Sequence, residues 1–140
     1  MKQLYFLLIV GLILSGFILV GPSLKDKGKL LDQILLVAHG HVALILLSLF
    51  DLSVGLSSLV WVGPGKIPVL QNLIPSVTLL LAGLVLVYTL FLREYPDHQP
   101  KENFVFSKTL DMIRRRAMWL GLLCFVMAFV HFFAENIVFL

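Results

Sequence analysis

The sequence predicts an all-α integral membrane protein, a four-helix transmembrane bundle with both termini on the non-cytoplasmic side. Three observations lead there. Of 140 residues, 59% are hydrophobic and only 14% charged, and the mean hydropathy is +0.99; a soluble domain needs a denser charged surface to stay dispersed. The charges form short clusters between apolar runs, and each run is long enough for the about 20 helical residues that cross a bilayer. The lysines and arginines are divided unevenly between the two ends of those runs. No stretch outside the runs can build a core of its own, so residues 1–140 read as a single transmembrane domain.

The first span is expected over 4–22, an apolar run from Leu4 to Val20 closed by Gly21-Pro22. A signal peptide also has a basic start and an apolar core. Here, however, no Ala-x-Ala-like site follows, and Lys25, Lys27 and Lys29 oppose translocation. The second span is expected over 31–62. It is long for one crossing, so it either tilts or extends its start into the cytosolic interface. Gly63-Pro64-Gly65-Lys66-Ile67-Pro68 is a breaker-rich turn. The third span, 69–92, carries Pro75 in its first turns, where a missing N–H costs little. Residues 93–111 form the cytoplasmic loop, and Tyr95-Pro96-Asp97-His98-Gln99-Pro100 within it is not regular helix. The fourth span, 112–139, is entered through the basic segment Lys108 to Arg116, with Phe104 and Phe106 expected at the interface.

Orientation follows from the basic residues. Lys25, Lys27, Lys29, Arg93, Lys101, Lys108, Arg114, Arg115 and Arg116 fall on one side, and Lys2 and Lys66 on the other. The positive-inside bias puts the first side in the cytoplasm of a cell inner or plasma membrane. Trp61 and Trp119 fit interfacial anchors. Arg114, Arg115 and Arg116 read first as a topology anchor at the lipid surface, and second as a contact for an acidic partner or lipid.

Three of the four spans have a polar or small face when drawn at 3.6 residues per turn. On the second, Gln33, Gly40, His41, Ser48, Asp51, Gly55 and Ser58 share an arc of roughly 100°. His39 points elsewhere. On the third, Asn72, Ser76 and Gly83 share a face. On the fourth, Ala117, Gly121, Cys124, Ala128, His131 and Glu135 are spaced alternately by four and three. Small residues so spaced let membrane helices approach closely.

Counting from the expected outer ends, Asp51 lies about 16 Å deep and His131 about 12 Å. Thr78 and Ser15 fall near the same layer. The expectation is that Asp51 and His131 face each other, with Glu135 just above and His41, Ser48, Ser58 and Thr78 as a supporting polar stripe. A carboxylate at such depth is costly unless paired or hydrated. Such a cluster fits three roles: locking helix register, relaying a proton or ion, or, with Glu135, holding a divalent metal.

Other chemistry has little support. The chain has one cysteine, Cys124, so it has neither an internal disulfide nor a CxxC site. There is no Walker loop, GxSxG, HExxH or dinucleotide fingerprint. His39 and His41 stand two apart and diverge by about 160° on a helix, so they do not chelate one ion. No histidine pair is level enough for an intrachain bis-histidine haem. No cofactor is required by the sequence. The expected partners are the bilayer and other membrane subunits or further copies of the chain, with no nucleic acid. The leading expectation is an accessory or structural subunit of a larger membrane complex. The alternatives are a small oligomeric proton or ion transporter or channel using Asp51 and His131, and a metal- or haem-holding redox subunit.

Overall fold

The computed structural model describes residues 2–24, 29–60, 73–95, 109 and 112–134. Among these the chain is all-helical, with no strand. The helices are α1 (Lys2–Leu24), α2 (Lys29–Ala38), α3 (His41–Val60), α4 (Ile74–Glu94) and α5 (Ala117–Ala134). Gln3–Leu24, His41–Val60 and Ile74–Glu94 are long and apolar enough to cross a membrane. α5 is apolar throughout and has 18 residues.

The helices pack as two tight pairs, α3 on α4 and α1 on α5, which then close on each other. Both pairs are antiparallel. Ser58 meets Ser76 while Asp51 meets Gly83, and Tyr5 meets His131 while Gly16 meets Gly121. Leu8 and Leu12 of α1, Leu44 of α3, Leu79 and Val85 of α4, and Cys124 of α5 fill the interior. Large apolar side chains also cover the outside: Leu36, Val60, Trp119 and Phe129 are 78%, 79%, 68% and 65% exposed. A soluble monomer does not carry so continuous an apolar exterior, whereas lipid tolerates it.

Glycines set how closely the pairs approach. A Cβ added at Gly121 would lie 2.9 Å from Gly16 O and 3.0 Å from Leu19 Cβ. One at Gly55 would lie 2.8 Å from Leu80 Cγ and 3.3 Å from Ser76 O. Close backbone approach at small residues is one way that apolar helices attract each other where burying apolar surface gains little.

The second expected span is not one helix. It divides into α2 and α3 at His39-Gly40. At Gly40 a Cβ would strike Val37 O at 2.9 Å, so only glycine fits the tight turn. His39 strengthens the break, because its Nδ1 donates to Leu35 O at 2.9 Å and caps the end of α2. The long stretch from Leu31 to Val62 reads as one span although His39-Gly40-His41 interrupts it at the joint. The fourth expected span begins with helical residues 112–115 and a turn at Arg116 before α5. There Trp119 N donates to Arg116 O at 2.9 Å, a tighter link than the regular α-helical one. The Gly63–Pro68 turn, Trp61, Asn72, His98, Phe104, Phe106 and Glu135 lie outside the described residues.

Candidate functional site

Asp51 sits midway along α3, about 15 Å from either end, and is fully buried. α1 presents Ser15 to it, and the Ser15 hydroxyl donates to Asp51 Oδ2. Ser15 is fully buried as well. α4 presents Gly83, where an added Cβ would come within 3.1 Å of Asp51 Cβ. A side chain at 83 would therefore press on the Asp51 side chain. Asp51 Oδ1 has no hydrogen-bond partner among the described residues. A carboxyl oxygen left so in an apolar interior is costly.

His131 does not meet Asp51. It is 2% exposed, and its ring lies against Tyr5 with centroids 4.1 Å apart and planes tilted by 30°. Tyr5 and Ser15 are ten residues apart on α1, so the two contacts stand about 15 Å apart along it. The expected level pairing of Asp51 with His131 is therefore corrected. The cause is the Gly16–Gly121 crossing, which brings Cys124, not His131, to the depth of Ser15. A depth counted inward from a span end shifts by about 1.5 Å for each residue by which that end is misplaced.

The supporting stripe also separates. Ser48 Oγ donates to Ile45 O at 2.9 Å, and Thr78 Oγ1 donates to Ile74 O at 2.8 Å, so both hydroxyls are satisfied within their own helices. Ser58 joins α3 to α4 by accepting a 2.8 Å bond from Ser76 Oγ. His41 lies at the exposed start of α3, with Nε2 3.1 Å from Glu94 Oε1. Beside it, Arg93 Nη1 donates to His39 O at 2.9 Å. The last residues of α4 thus grip both sides of the α2–α3 joint. The sequence reading missed this grip because it treated residues 31–62 as continuous. Arg114, Arg115 and Arg116 are exposed just ahead of α5. Among the described residues no three His, Cys, Asp or Glu side chains converge to hold a metal ion.

Residues 1–131 match the model of a protein family of unknown function. The chain belongs to that family. The matched range takes in Ser15, Asp51, Tyr5 and His131 and leaves out Glu135. No curated protein and no solved structure matches the chain.

Proposed function

We propose that this protein crosses the membrane four times, through α1, α3, α4 and α5, and serves as an accessory or structural subunit of a larger membrane complex. The basic residues at one end of the helices favour placing that end in the cytoplasm and both termini outside. The observation that carries the reading is the close helix packing at mid-depth. Glycines draw the backbones together at Gly16–Gly121 and at Gly83–Asp51, and the carboxylate there is turned onto Ser15 of the same chain. Such a bundle is a strut, and its outer helix faces are what remain for lipid and partner helices. Purification from the native membrane in mild detergent should recover the chain with stoichiometric membrane partners that stay bound through size-exclusion chromatography. Recovery as a lone monomer overturns the reading.

One observation favours a second reading, a small oligomeric proton or ion carrier. Asp51 Oδ1 lacks a partner among the described residues, and buried intramembrane acids often mark ion routes. Reconstituted Asp51→Asn protein should then lose proton or cation flux while keeping its fold. Unchanged flux in the folded variant removes this reading.

A further inference from the structure

We propose that α2 is a surface arm that binds an anionic phospholipid leaflet, lying at the lipid–water boundary and not crossing it. This rests on the membrane reading above. With ten residues, α2 is about 15 Å long, half of what the hydrocarbon requires. Its residues divide by face. Leu35 is buried against the bundle, and a Cβ at Gly21 of α1 would touch His39 Cε1 at 2.8 Å, so one side of α2 is docked. Ile34 and Val37, three apart and on one face, are 54% and 73% exposed. Lys29, Asp32 and Leu36 lie around the opposite arc, and Gln33 borders Val37. α2 thus has an apolar face that no described residue covers and a polar edge, the pattern of a helix lying in an interface.

Charge complementarity selects the occupant. Lys29 opens α2, and Arg93 reaches its far end at His39 O. Arg114, Arg115 and Arg116 stand at the same end of the bundle, because the Gly16–Gly121 crossing brings the start of α5 beside the end of α1. Of the two described acids here, Glu94 faces His41. A rim of cations around an exposed apolar helix fits phospholipid phosphates above and acyl chains below. The Arg93–His39 and Glu94–His41 contacts fix the joint, so the arm is held at a set angle to α3.

Single-tryptophan proteins test this. In a Trp61→Phe, Trp119→Phe background, tryptophan is placed by Ile34→Trp, Leu36→Trp or, in α3, Leu49→Trp, and quenched with brominated phospholipid. Ile34→Trp should be quenched at least about twofold more than Leu36→Trp, because only the former faces acyl chains. Its quenching should rise when phosphatidylglycerol replaces phosphatidylcholine and stay unchanged when inorganic phosphate is added, which assigns the effect to the lipid headgroup. Equal quenching at both positions, or equal quenching in both lipids, overturns the proposal. Leu49→Trp reports on the membrane reading itself. If it escapes quenching, that reading has failed; if it alone is quenched, only the arm has.

Discussion

Gly121→Leu should part α1 from α5 and open Cys124 to solvent reagents. The crossing leaves no room for a side chain. An added Cβ would sit 2.7 Å from Val20 Cγ2, 2.9 Å from Gly16 O and 3.0 Å from Leu19 Cβ. The Val20 methyl can swing aside, but the other two atoms move only with the α1 backbone. Two effects oppose each other in the milder Gly121→Ala. Alanine favours helix over glycine by about 1 kcal/mol, while overpacking costs about 1–3 kcal/mol. The balance is a modest loss for alanine and a large one for leucine, whose three further carbons have nowhere to go. Each helix keeps its own backbone hydrogen bonds in detergent, so circular dichroism should change little. The informative readout is the single thiol. Cys124 is fully buried and would lie 3.3 Å from a Cβ at Gly16, within the same crossing. Its maleimide labelling should rise by at least about tenfold in Gly121→Leu, tracking the population of the opened state. Labelling as slow as in the parent protein would show that α1 and α5 do not cross at these glycines.

That crossing also marks where sequence reasoning stops. The alternating spacing from Ala117 to His131 was legible because a helix repeats every 3.6 residues; Gly121, Cys124 and Ala128 of it are buried, the first two against Gly16 of α1. The placement of Asp51, Ser48, Gly55 and Ser58 on one face was legible for the same reason, and all four are buried. Periodicity gives the direction a side chain points; it carries nothing about the vertical offset between two helices. Asp51 therefore had a known face and the wrong partner, and the offset was set by Gly16 against Gly121. His41 shows the same gap. It falls at the edge of the same arc as Asp51, but as the first residue of α3 it reaches Glu94 in the open. The joint at His39-Gly40 left two traces in the sequence, the excess length of the second apolar run and the glycine between histidines within it.

Removing the Ser15 hydroxyl should harm the bundle more than removing the hydroxyl and the carboxylate together. Ser15→Ala leaves Asp51 buried with neither oxygen partnered among the described residues. An orphaned buried polar group costs about 1–3 kcal/mol, more if charged. An interhelical hydrogen bond between membrane helices is worth only about 0.6 kcal/mol on average, so the orphaning dominates over the lost bond. The serine fares better alone, since in Asp51→Ala its hydroxyl can turn to a carbonyl of its own helix, as Thr78 and Ser53 do to Ile74 O and Leu49 O. The Ser15→Ala, Asp51→Ala double variant has no orphan and should recover part of the stability lost in Ser15→Ala. A double-mutant cycle by reversible denaturation in mixed detergent micelles should therefore show coupling of about 1 kcal/mol or more. Additive effects would mean that the hydroxyl and the carboxylate do not share a bond. Asp51→Asn completes the set, because its amide oxygen still accepts from Ser15 within almost the same volume. It should fold nearly as well as the parent, so any flux it loses on reconstitution belongs to the carboxylate and not to a collapsed bundle.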